Sequence, residues 1–315
     1  MKKHGLTLVI LILAAMIARE ILKSPPQTKP SVFDEPAKLP AQQHKDPVPA
    51  KAAESTRPAS PPAQSENPDL GKVIAIAPPS ADGGRQKPPP NSIPFELVGG
   101  LVISFGDQLL GRPNAENFPN EGFIEAPKIG HWAGGIIPYS FDPRFTNPER
   151  VQRVLDYFNE YTPVRFVPFT DQKDSIVFSP GEVQLCLSYV GRIGGHQPIY
   201  LDDRCYEKEI THEIMHAIGF IHEHSRPDRD QFVRVNWDKI EEDKQSQFEA
   251  APISMAKAHK GRPFDYQSVM IYNPSTFAKV RGDQTIESVT GAKIEPAASG
   301  LSPEDQARLI QLFAE

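Results

Sequence analysis

His212-Glu213-Ile214-Met215-His216-Ala217-Ile218-Gly219-Phe220-Ile221-His222 (HEIMHAIGFIH) is the stretch on which the reading of this 315-residue chain turns. Residues four apart share one face of a helix, so the His212 and His216 imidazoles can close on a single ion like a pincer. Glu213, one position along, projects to the side, where its carboxylate can accept a proton from water bound to that ion. Two histidines are too few for a hydrolytic zinc site, which takes three protein ligands and keeps one position open. His222 supplies the third only if the helix stops, because six residues at about 100° each would turn it off the pincer face. Gly219 is the residue that can take the left-handed conformation ending a helix without steric cost. The stretch therefore encodes two ligands, a turn and a third ligand, for one Zn2+ per chain. Zinc acidifies a bound water and polarises a carbonyl, while a nearby carboxylate relays the water proton to a leaving amine; peptide hydrolysis is the obvious use.

Composition narrows the setting. A formal charge of -6 with no dense Lys/Arg stripe gives no attraction to nucleic acid, so polyanions are not expected partners. Lys2 and Lys3 followed by the uncharged apolar run Leu6 to Ala18 read as an export signal over residues 1–22, with an uncleaved membrane anchor as the alternative. The expected localisation is periplasmic or extracellular, with membrane attachment through that segment left open. In an oxidising compartment Cys186 and Cys205 read naturally as one disulfide, against two unpaired buried thiols. Residues 23–94 hold about half of the 33 prolines and one aromatic, Phe33, and read as a proline-rich disordered linker.

Globular composition starts near Phe95. Gly134 to Phe141 predicts a strand, and Asn147-Pro148 opens a helix, Asn as N-cap and Pro in the first turn. Val151, Val154, Leu155 and Phe158 continue that helix at one-face spacing. Val164–Phe169, Ser175–Phe178 and Ile199–Leu201 predict strands, and helices are expected over Trp237–Phe248 and over Pro303–Phe313, the last N-capped by Ser302. The result is an α+β chain with a strand-rich first half.

The run His212 to Asp230, HEIMHAIGFIHEHSRPDRD, resembles the full signature of the astacin-type zinc metallopeptidases within the metzincins. The resemblance spans roughly Trp132 to Phe313. It implies a two-lobed zincin-like domain over 129–315, with a strand-rich N-terminal lobe, the active-site helix and an irregular C-terminal lobe. Tyr266 to Tyr272 (YQSVMIY) is similar to the family's Met-turn, with Ile271 where the family often has His. There Met270 would form an apolar floor under the metal, and Tyr272 would lend its phenol to the metal and to the oxyanion of the reaction. Trp132 to Tyr139 (WAGGIIPY) looks like the start of the mature domain, and Cys186 to Cys205 is similar to a region carrying one of two family disulfides. The other disulfide has no cysteines here, which implies less firmly tied termini. Glu223 would meet the N-terminus exposed by activation; the alternative is a solvated charge in a polar loop. Ser104-Phe105-Gly106-Asp107 partly resembles a propeptide motif, its Phe one place displaced, within a pro-segment over 95–128. Asp107 would be its inhibitory metal ligand, against a plain Gly-Asp turn.

These readings point to an exported zinc endopeptidase acting on protein or peptide substrates. The alternatives are a catalytically inactive relative that binds peptides or wall material, and a zinc amidase acting on cell-wall peptides. An intact Glu213 argues against the first alternative, since a binding module has no need of a general base.

Overall fold

The computed structural model describes residue 70 and residues 73–74, 87–113 and 115–314. The expected export signal or anchor, 1–22, and most of the proline-rich linker lie outside the described residues. Among the described residues no helix is long and apolar enough to cross a membrane.

In chain order the elements are β1 (Val73–Ile74), β2 (Ser92–Val98), β3 (Leu101–Ser104), β4 (Gln108–Gly111), β5 (Glu121–Glu125), β6 (Ile136–Phe141), α1 (Pro148–Tyr161), β7 (Arg165–Pro168), β8 (Ser175–Pro180), β9 (Leu187–Ser188), β10 (His196–Leu201), α2 (Glu207–Ile218), β11 (Val233–Val235), β12 (Ile286–Ser288) and α3 (Pro303–Phe313). Ten strands form one sheet in the order β1-β5-β2-β3-β4-β9-β10-β8-β6-β7, and β11 pairs with β12 separately. The fold is α+β, strand-rich up to α2 and irregular after it, as the sequence implies.

The large sheet has two parts. Strands β6, β7, β8 and β10 are parallel, with α1 as the crossover between β6 and β7. Helix α1 buries Val151, Val154, Leu155 and Phe158, the face read from the sequence, and packs against α2. The antiparallel ribbon β5-β2-β3-β4 joins this part through the register pair of Gln108 with Ser188 of β9. Its apolar face (Ile93, Phe95, Val102, Phe105, Leu110, Ile124) shares one buried cluster with Val190, Ile221, Ala251 and Met255. A second cluster, with Val233, Ile240, Phe248, Phe264, Ile271 and Ile286, fills the region after α2.

Several local expectations shift. Strand β2 begins at Ser92, ahead of Phe95, and β1 at Val73–Ile74 pairs with β5, so the 23–94 stretch contributes strands. Gly134 and Gly135 take positive φ in a 3-10 turn, delaying β6 to Ile136. Asn147 stands before α1 in the left-handed region (φ 55) with no side-chain cap bond; Asn tolerates that conformation, and Pro148 still opens the helix. The helix expected over Trp237–Phe248 is replaced by two 3-10 segments, Trp237–Lys239 and Glu242–Phe248. Ile240, extended at φ -87 and ψ 135, bridges to Ala278, and that remote pairing interrupts the helix. Ser302 caps α3 as read, its hydroxyl accepting from Asp305 N–H at 2.9 Å.

Candidate metal centre

Helix α2 begins with Glu207 and Glu209 in its first turn, where carboxylates complement the positive end of the helix dipole. It ends at Gly219, φ 130, whose N–H donates to the carbonyls of Met215 (3.2 Å) and His216 (2.8 Å). A Cβ at Gly219 would meet only Ile129 Cγ2 at 3.5 Å, so backbone conformation, not space, is what asks for glycine. The turn carries His222 back over the helix: its Nε2 lies 3.1 Å from His212 Nε2 and 3.2 Å from His216 Nε2.

The outer ring nitrogens fix which nitrogen faces inward. His212 Nδ1 donates to the Val269 carbonyl at 2.9 Å, and His216 Nδ1 donates to the Phe220 carbonyl at 2.7 Å. With Nδ1 protonated, each Nε2 turns a lone pair toward the common point. Burial pushes His216 down to about 4, so this imidazole is neutral at physiological pH. Asp107 of the turn before β4 completes the cluster, with Oδ2 3.0 Å from His222 Nε2 and 3.3 Å from His212 Nε2, and Oδ1 3.3 Å from His216 Nε2. Burial works against its charge, but the neighbouring histidines win and hold its carboxyl well below the usual range.

The four ligand atoms lie within 4.8 Å of one another. Inward lone pairs and a carboxylate at such separations repel unless a cation stands among them. Tetrahedral zinc with bonds of about 2.0–2.1 Å sets its ligand nitrogens about 3.3 Å apart, close to the spacing seen here. The donor set fits zinc.

Glu213 is 2% exposed, and its Oε2 is buried without a hydrogen-bond partner. Burial, then the charges of Asp107 and Glu209, push its carboxyl well above the ordinary range. Met270 is fully buried. The Tyr272 ring packs 5.1 Å from His222 and 4.0 Å from His224 between centroids. Its hydroxyl lies 3.2 Å from both the Phe105 carbonyl and Gln247 Oε1, and can donate to one at a time. Cys186 and Cys205 form a disulfide, which is consistent with an oxidising compartment.

Residues 125–313 match the family model of the astacin peptidases. This chain belongs to the astacin family. Among astacin relatives, the zinc metalloproteinase nas-6 of Caenorhabditis elegans is 36% identical over 188 residues, covering 58% of this chain and 54% of the relative. Zinc metalloproteinase nas-14 of the same organism is 41% identical over 160 residues, 49% of this chain and 31% of the relative. The chain thus spans about half or less of the length of these curated relatives. High choriolytic enzyme 1, a hatching enzyme zinc-protease from Oryzias latipes (medaka fish), superposes with a TM-score of 0.52 at 29% identity, over 57% of this chain and 89% of that one. Zinc is the metal of this astacin site, held by His212, His216 and His222.

Glu223 departs from the solvated loop charge that its polar surroundings in the sequence allow. It is fully buried, accepting from both terminal nitrogens of Arg308 at 2.8 Å, from Arg226 at 3.0 Å and from Asp265 N–H at 2.7 Å. Gln247, bonded to Tyr272, and Asp305 and Arg308, bonded to residues next to the histidines, escape a linear reading because they lie far from the histidines along the chain. The one local signal is that Asp305 and Arg308 share a helix face.

Proposed function

We propose that this chain is an exported zinc-dependent endopeptidase that hydrolyses peptide bonds, held latent by its own segment 95–128. The observation that carries the reading is the convergence of three inward Nε2 atoms beside a buried, unpartnered Glu213 oxygen. Bound zinc supplies a Lewis acid that polarises the scissile carbonyl and brings the pKa of water toward neutrality. Glu213 takes the proton from the attacking water and hands it to the departing amine nitrogen. Burial raises its pKa, which makes the carboxylate a stronger base toward that proton. Met270 fills the apolar base under the histidines. Tyr272, once its tie to Phe105 is broken, donates its phenolic O–H to the carbonyl oxygen as negative charge develops there.

Asp107 acts as the inhibitory ligand, occupying the position that water needs. Its contacts with all three histidines favour this over a plain Gly-Asp turn. The Cys186–Cys205 disulfide supports export, for which residues 1–22 would serve as signal or anchor.

Hydrolysis of a mixed-sequence peptide library by the zinc-loaded full chain tests the assignment, comparing Asp107→Ala with Asp107→Ala/Glu213→Ala at equal metal content. Cleavage by the first and none by the second is the expected result. No cleavage by either, at one zinc per chain, would overturn endopeptidase activity and leave the amidase or binding alternatives.

A further inference from the structure

Two hydrogen-bond relays leave one turn of α3 and end beside two different zinc-binding histidines. The first starts at Asp305, fully buried, whose carboxylate accepts from Val269 N–H at 2.9 Å and from the Ser268 hydroxyl at 2.7 Å. Val269 is the residue whose carbonyl accepts from His212 Nδ1. The second starts at Arg308, also fully buried, whose guanidinium takes both Glu223 oxygens in a fork. Glu223 follows His222 directly and donates its N–H to the Met270 carbonyl at 2.8 Å. The two relays meet in the 268–270 loop, where Ser268 Oγ also accepts from Met270 N–H at 3.0 Å. The loop is thus gripped from three sides by groups that α3 anchors.

We infer that α3 positions the metal: Asp305 sets the ring of His212 through Val269, and Arg308 sets His222 through Glu223. This rests on the reading of His212, His216 and His222 as zinc ligands. A role confined to stability would not call for these residue types. A buried ion pair is often matched in stability by apolar residues of the same volume, and a wholly buried arginine is costly to desolvate. What a bidentate pair and a carboxylate held by Val269 N–H, the Ser268 hydroxyl and Ser302 N–H (3.2 Å) add is direction, fixing the angles of groups that apolar packing would let slide. Partners one step out from metal ligands have this effect, and their loss typically lowers metal affinity by roughly 10–100-fold. Asp305 and Arg308 stand three apart in the chain, with 3.8 Å between Arg308 Nη1 and Asp305 Oδ1, so one helical face serves both relays.

The test uses the full chain with Asp305→Asn, which keeps the shape of the side chain, and Arg308→Lys, which keeps the charge but not the fork. Val154→Ala, a cavity in α1 that removes none of the relay bonds, is the control for lost stability. Zn2+ affinity is measured by competition with a chromophoric chelator, and the visible absorption of the Co2+-loaded proteins reports ligand geometry. Expected are a roughly 10–100-fold weaker Zn2+ affinity and altered Co2+ bands in Asp305→Asn and Arg308→Lys, with neither change in Val154→Ala. Unchanged affinity and spectra in the two variants, or equal losses in Val154→Ala, would overturn the positioning role. Failure of the unaltered chain to bind Zn2+ at all would instead remove the zinc reading on which the role rests.

Discussion

The polypeptide on the α2–α3 side of the three histidines is held by buried charge, whereas the β2–β4 ribbon on their other side is held by apolar packing, a few neutral hydrogen bonds and one carboxylate. On the first side Glu223, Arg308, Arg226 and Asp305 are all buried, and the bonds of Asp305 and Glu223 reach the 268–270 loop. On the second side the ribbon joins the catalytic sheet by the Gln108–Ser188 pair, and among the described residues Asp107 is its only carboxylate within reach of the histidines. Directional bonds give the metal a fixed geometry, while apolar contacts and a single ligand allow a segment to leave without dismantling the site. On the proposed reading, one side is permanent and the other is the latch.

The largest expected effect tests the permanent side. Glu213→Gln in an Asp107→Ala background should lower kcat by about 10²–10⁴-fold at unchanged zinc content, as general acid–base groups do; a smaller loss would shift the proton transfer to another group. Next, Arg308→Gln removes the forked partner of buried Glu223, leaving Arg226 and the Asp265 N–H, and should destabilise the fold by up to about 3 kcal/mol in chemical denaturation. A loss below about 1 kcal/mol would show that buried charge is not what holds this side.

Effects on the ribbon should be smaller and should unlock rather than unfold. Asp107→Ala removes the carboxylate that faces the metal; since each ~1.4 kcal/mol of lost hold on the ribbon is tenfold in the open population, the full chain should gain at least about tenfold in peptide hydrolysis. A chain no more active than before would separate Asp107 from latency. Gly106→Ala is the subtlest. Gly106 has φ 89, and a Cβ there would lie 2.3 Å from Gln247 Oε1, so the substitution should loosen the ribbon by about 1–3 kcal/mol and raise basal hydrolysis modestly. Combining it with Gln247→Ala should recover part of that loss, since the clash then disappears and only the strained backbone remains.

Much is legible in the sequence where physics is local. The pincer spacing, the glycine stop, the third histidine, the buried stripe of α1 and the Ser302 cap each depend on backbone geometry within a few residues, which a linear pattern records. Trp237–Phe248 fails as a helix for the opposite reason: Ile240 pairs with Ala278, 38 positions away, and no local pattern encodes that partner. Asp107 is only a candidate in a partial motif, because its histidines lie 105 or more positions on, and the register of β4 against β9 brings them together. Tyr272 reads as a catalytic phenol but not as the donor to Phe105, 167 positions back. Glu223 cannot be told from a solvated charge until Arg308 is seen against it, 85 positions further along.

The sequence by itself determined the metal-binding constellation and the reaction class it suits, because ligand type and helical period suffice for both. Only the tertiary structure decided what fixes those ligands and what covers them. Burial makes a charge seek whichever opposite charge the fold delivers, and strand register, not distance along the chain, chooses that partner.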